Sequence, residues 1–139
     1  MDLLQRLKED RRQIARTFAA LERTTFRDRR LREALVAELD ETLADYVVSE
    51  RHVLFASRLD DAEGAALLFD AMEGSASLQV FLETLRDKPA DADDWRRAVA
   101  ALKEQVGTHL ATEEDLLDVL CRLDEPAMER GGRASGEAR

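Results

Sequence analysis

The sequence predicts an all-α protein, an up-down-up-down antiparallel four-helix bundle, and three observations predict it. Only two prolines and six glycines occur in 139 residues, while Leu, Ala, Glu and Arg abound, which is the composition of a helical chain. Apolar residues recur at alternating steps of three and four along four segments of about 20 to 30 residues, the spacing of an inward helical stripe. The connections between the segments are short, which makes consecutive helices antiparallel neighbours. A chain of this length forms one domain and buries a core without disulfide or metal support. The bundle is assigned to residues 1–123. Residues 124–139 are expected to be a disordered tail, because periodicity is lost at Gly131-Gly132-Arg133-Ala134-Ser135-Gly136.

The first helix is expected from about Leu3 to Arg23, with Leu7, Arg11, Ile14, Phe18 and Leu21 inward. Thr24-Thr25-Phe26 breaks it, and Asp28 is placed to cap the second helix, whose stripe is Leu35, Leu39, Leu43, Tyr46, Glu50, Val53 and Leu54. Asp60-Asp61 opens the third, with Leu68, Ala71, Ser75, Leu78, Leu82 and Leu85 inside. Pro89 stops it, having no amide hydrogen to give. The fourth opens near Asp91 to Asp94 and reads Trp95, Val99, Leu102, Val106, His109, Glu113, Leu116 and Leu120. Trp95, the only tryptophan, is in step with Val99 and Leu102 and is expected to cap the core. Phe26, Phe55 and Phe69 are candidates for exposed apolar patches near helix ends. Cys121 cannot form an internal disulfide and, beside Leu120 and Leu123, reads as a small core hydrophobe.

Charge is unevenly placed: the net value is −9, yet residues 1–33 carry +4 and the remainder −13. An acidic whole argues against nucleic acid as a partner. The cluster Arg23, Arg27, Arg29, Arg30 and Arg32 is read as a solvated helix face, since eighteen arginines against three lysines mark a chain-wide bias. The first residues lack a secretory apolar region and no apolar run approaches bilayer length, so a cytoplasmic location with no membrane partner is expected.

Each stripe is interrupted near mid-helix: Arg11 on the first, Tyr46 and Glu50 on the second, Ser75 on the third, His109 and Glu113 on the fourth. Mid-helix positions fall at similar heights in an antiparallel bundle, so these six side chains are expected to meet in one polar layer. Residues four apart on a helix point the same way, which brings His109 and Glu113 to a common point with Glu50 facing them across the core. Bundle-core metal sites are built this way, from carboxylates and imidazoles on facing helices. His52 lies roughly 200° around its helix from Glu50 and is read as a surface or boundary histidine.

Over roughly residues 3 to 120 the chain resembles the hemerythrin-like (HHE cation-binding) family, whose members are four-helix bundles holding a non-haem di-iron centre. The resemblance rests on Glu9-Asp10-Arg11-Arg12, where Asp-His is usual, and on Tyr46-Val-Val-Ser-Glu50 before Val53-Leu54-Phe55, where the family has His-x-x-x-Glu and an apolar triplet. It continues at Met72-Glu73-Gly74-Ser75, where Glu-His is usual, and most specifically at His109-Leu-Ala-Thr-Glu113-Glu114, where His-x-x-x-Glu-Glu is usual. Carried over, the family's ligand positions fall at 11, 46, 50, 75, 109 and 113, with Glu114 replacing Glu113 if the helix is slightly rotated. Glu50, His109 and Glu113 match; Arg11, Tyr46 and Ser75 do not. The prolines that usually follow the second and fourth motifs are also absent, with Ala56 and Asp118 near those places.

Two readings of the layer follow. An arginine stays protonated and is never a metal donor, so Arg11 excludes a metal by repulsion and takes over its charge and space in an ion-pair network of Arg11, Tyr46, Glu50, Ser75, His109 and Glu113. In a fully buried pair, removing Arg11 is expected to cost about 3–5 kcal/mol. The alternative is a mononuclear site of Glu50, His109 and Glu113 for iron, manganese or zinc, with Tyr46 as a fourth group. The resemblance implies oxygen, iron or nitrosative-stress sensing for a complete site. With three imidazoles replaced, the expectation is a non-enzymatic regulatory or interaction module without a cofactor, acting on a protein partner or by self-association. General acid-base catalysis at His109 is set aside because Leu43, Val53, Leu78, Leu82, Val106 and Leu116 are expected to fill the core around it.

Overall fold

The computed structural model describes residues 3–56 and 62–114. The protein is a four-helix bundle of α1 (Leu3–Arg23), α2 (Arg29–Ala56) and α3 (Ala62–Asp87), with α4 over residues 95–114. No strand occurs among the described residues. The expectations for Asp60-Asp61, Leu116, Leu120, Cys121 and the 124–139 tail lie outside the described residues, and those for Leu54, Phe55 and Leu68 concern side chains outside the described ones.

Each helix gives one face to a single core. Leu7, Ile14, Phe18 and Leu21 come from α1, Val36, Leu39, Leu43 and Tyr46 from α2, Leu78, Leu82 and Leu85 from α3, and Trp95, Val99, Leu102 and Val106 from α4. Trp95 is 2% exposed at the start of α4 and closes one end of that core. Phe26 and Phe69 face solvent, and so do Met72 and Val80 on α3 and His52 on α2.

The helix ends show why the chain turns where it does. Thr24 closes α1 by donating from its amide and its hydroxyl to the Leu21 carbonyl, at 3.2 and 2.6 Å. Asp28 stands immediately before α2, but its side chain does not cap the helix in the expected direction. The carboxylate turns back to accept from the Thr25 amide at 2.8 Å and the Thr25 hydroxyl at 3.3 Å, tightening the preceding turn. Its carbonyl accepts the first helical bond, from the Arg32 amide at 2.8 Å. Beyond α3, Pro89 prevents continuation. The Asp94 carbonyl then accepts from the Ala98 amide at 3.1 Å to start α4.

Arg32 departs from its expected place. It is 2% exposed rather than part of a solvated face. Its guanidinium donates through Nε to Thr24 Oγ1 at 2.9 Å, through Nη1 to the Ala90 carbonyl at 2.6 Å and through Nη2 to the Thr24 carbonyl at 3.2 Å, and it lies over the Trp95 ring at 4.0 Å. Protein acceptors and an aromatic face have replaced its water. The buried row of α2 therefore begins a turn early, at Arg32 and Val36, and Leu35 is only half-buried.

Candidate functional site

The bundle brings the six interrupting residues together, and side-chain contacts link them in sequence. On one side, Glu50 of α2 accepts from His109 Nε2 at 2.6 Å through Oε2, and its Oε1 lies 3.0 Å from Ser75 Oγ of α3. The single Ser75 hydrogen is shared in choice with the Ala71 carbonyl at 3.1 Å. On the other side, Tyr46 donates its phenolic hydrogen to Glu113 Oε1 in a short bond. Arg11 of α1 donates through Nε to that phenol oxygen at 3.3 Å and through Nη2 to the Leu110 carbonyl at 3.2 Å, with Nη2 also 3.5 Å from Glu113 Oε1. The two halves meet where His109 Nε2 stands 3.7 Å from Glu113 Oε2. Tyr46, Glu50, Ser75, His109 and Glu113 are all buried.

Three expectations need correction in degree. Arg11 is half-buried, its side chain 22% exposed, and its Nη1 reaches outward to Glu114 at 3.8 Å. The cost expected for breaking a fully buried pair therefore overstates its removal. Glu114 itself is 68% exposed and meets the layer only at the outer end of Arg11, because a single helical step turns it about 100° from Glu113. The core is also not sealed around His109. Leu43, Leu78, Leu82 and Val106 are buried along the seam as expected. Between α3 and α4, however, a cleft of about 150 Å³ reaches His109 and Glu113 past Gly74, Thr108 and Thr112.

Burial dominates the electrostatics of Glu113. It pushes the carboxyl up from 4.5 to about 7, against the pull of Arg11, which favours the ionised form by charge and by hydrogen bonding. The same group has a second unusual property, since its Oε2 is buried without a hydrogen-bond partner. A proton or a cation on that oxygen satisfies it. One ligand atom each from Glu50, His109 and Glu113 lies within 4.8 Å of the others, a mixed nitrogen and oxygen set of the kind that suits a single iron, manganese or zinc ion. Among the described residues the set does not fit two irons: three donors are too few, and a permanent guanidinium stands 3.5 Å from Glu113.

One contributor was absent from the residues singled out for chemistry. A β-carbon at Gly74 would lie 2.5 Å from His109 Nδ1 and 3.1 Å from its Cε1, so the missing side chain is what lets the imidazole seat against α3. A glycine inside a helical pattern, next to the polar Ser75, was the available signal. No family model, curated protein or solved structure matches this chain.

Proposed function

We propose that this chain is a hemerythrin-like bundle that has exchanged its di-iron centre for an internal ion-pair and hydrogen-bond network, and that it works as a non-enzymatic regulatory or interaction module. The observation that carries this reading is Arg11 Nη2 at 3.5 Å from Glu113 Oε1, with Tyr46 bonded to the same carboxylate. A permanent cation occupies the neighbourhood in which a metal needs a donor. The layer also reaches neutrality without an ion. With Glu113 protonated and His109 neutral, Arg11 and Glu50 cancel; with Glu113 ionised, a protonated His109 completes the balance. The cleft beside His109, about 150 Å³, is below the ~300–1,000 Å³ of ordinary ligand pockets, which favours a binding or structural role over turnover of a sizeable substrate. A cytoplasmic setting without nucleic acid or membrane belongs to this reading; among the described residues no helix is long and apolar enough to cross a membrane.

Elemental analysis of protein purified without chelator tests it. The network reading expects less than about a tenth of an equivalent of any transition metal, whereas a tightly held ion is expected near full occupancy. Near-stoichiometric metal overturns the proposal and favours a second reading, which the orphaned Glu113 Oε2 supports. In that reading Glu50, His109 and Glu113 hold one iron, manganese or zinc ion, and the protein takes part in oxygen, iron or nitrosative-stress sensing.

A further inference from the structure

At the opposite end of the core from the polar layer's opening, a cleft of about 260 Å³ is bounded by the start of α2, the end of α3 and the loop into α4. Its walls combine apolar surface from Val36, Leu85, Ala90 and Trp95 with several charged groups. The charges can be accounted for one at a time. Glu33 pairs with Arg29 at 3.1 Å, Asp40 with Arg86 at 2.7 Å, and Lys88 with Asp94 at 2.7 Å. Arg32 is the exception: among the described residues no carboxylate makes an ion pair with it, although it is 2% exposed.

Carbonyl and hydroxyl oxygens solvate a guanidinium but do not cancel its charge. The bonds to Thr24 and Ala90 engage three of the five N–H groups that an arginine carries. Arg96 converges on the same Thr24 carbonyl and adds a second positive group rather than a counterion. Burial, then the proximity of Arg96, weaken the hold of Arg32 on its proton, and only the charge of Asp28 opposes them. Asp28 is already engaged by the Thr25 amide and hydroxyl. A buried cation of this kind is stabilised by an anion, and the surrounding apolar wall gives that anion a hydrophobic body to match.

We infer that this cleft binds a small organic carboxylate, its oxygens paired with Arg32 and its apolar part packed on Val36, Leu85 and Trp95. A volume below the ~300–1,000 Å³ of ordinary ligand pockets restricts the ligand to an acid of roughly the size of benzoate. A neutral apolar molecule leaves the Arg32 charge dehydrated, and an inorganic anion leaves the apolar wall unused.

The lone tryptophan in the wall makes the test direct. In the full chain, benzoate is expected to bind with one-to-one calorimetric stoichiometry and to change Trp95 emission saturably. Benzamide, which lacks the charge, and inorganic phosphate, which lacks the apolar body, are expected to bind at least about tenfold more weakly, the equivalent of one charged hydrogen bond. Ala37→Phe, at an exposed position on the cleft rim, fills the space without touching Arg32 and is expected to abolish benzoate binding with helicity unchanged. Arg32→Lys keeps the charge but loses the planar fork, and weakens binding by a similar factor if it folds. Absence of saturable benzoate binding up to about 10 mM overturns the inference. So does equal or tighter binding of benzamide or phosphate, or benzoate binding that survives Ala37→Phe.

Discussion

At Gly74 a methyl group would stand 2.5 Å from His109 Nδ1, and the ring cannot easily retreat because its other nitrogen is held 2.6 Å from Glu50 Oε2. Alanine is the better helix former by about 1 kcal/mol, but overpacking a seated ring typically costs about 1–3 kcal/mol. Gly74→Ala is therefore expected to lower the unfolding free energy, while Gly107→Ala, which meets nothing within 4 Å, is expected to raise it by about 0.4–1 kcal/mol. Urea denaturation of the two variants makes an internal control; equal stability would mean that the ring does not rest on α3. Glu113 offers a second measurement. Its folded-state affinity for a proton is raised, from 4.5 to about 7, chiefly by burial. The folded chain thus binds this proton more tightly than the unfolded chain does, so the group's contribution is fully present below about pH 4.5 and is lost as the pH rises through 7. The difference amounts to roughly 3 kcal/mol. Glu113→Gln should flatten that part of the stability profile, and denaturation midpoints from pH 4 to 8 with the same slope in both proteins would contradict the assignment.

Among the elements, the α1–α2 turn concentrates the connections that fix the bundle's end. Thr24 is buried, its hydroxyl accepts from Arg32 Nε, and its carbonyl accepts from both Arg32 and Arg96, so one residue joins the end of α1 to the first turns of α2 and α4. Thr24→Val keeps the shape but leaves the Arg32 Nε–H without an acceptor. A loss of about 1–3 kcal/mol is expected, with faster amide exchange at the starts of α2 and α4 than in their middles. An unchanged melting curve would show that the hydroxyl carries no weight in the turn. This turn also marks the limit of what the sequence discloses. The ends of α1 and α3 were legible because they depend on local residues: Thr24-Thr25 on one side, Pro89 on the other. The convergence of the six layer residues was legible too, since a polar residue interrupting an apolar stripe is visible in the spacing. Arg32 was not, because its burial depends on the Ala90 carbonyl 58 positions away, and an arginine near a helix start otherwise reads as surface. Gly74 and the depth of Arg11 were hidden for the same reason: close approach and exposure are set by how helices lean together, not by period.

On the scale of the whole molecule, the proposed exchange of metal for internal charges can be tested on the bundle itself. The backbone places positions 11, 46 and 75 around Glu50, His109 and Glu113, so placing imidazoles there tests that proposal directly. Arg11→His removes the cation beside Glu113, and Tyr46→His replaces a larger side chain by a smaller one. Ser75→His starts from a position whose hydroxyl already lies 3.0 Å from Glu50 Oε1. The triple variant then presents six donors from four helices, the kind of inward set that binds two metal ions in bundle cores. After anaerobic loading with Fe(II) and desalting, it is expected to retain about two equivalents and to melt at a higher temperature with metal than without, since an ion that binds only the folded state adds its binding energy to stability. The native chain treated identically is expected to retain less than about a tenth of an equivalent and to melt at the same temperature with or without chelator. A triple variant that keeps its helicity yet holds no more iron than the native chain would show that these positions are not arranged as a ligand set. The layer would then be an ordinary buried polar network, and the proposal of an exchanged metal centre would fall.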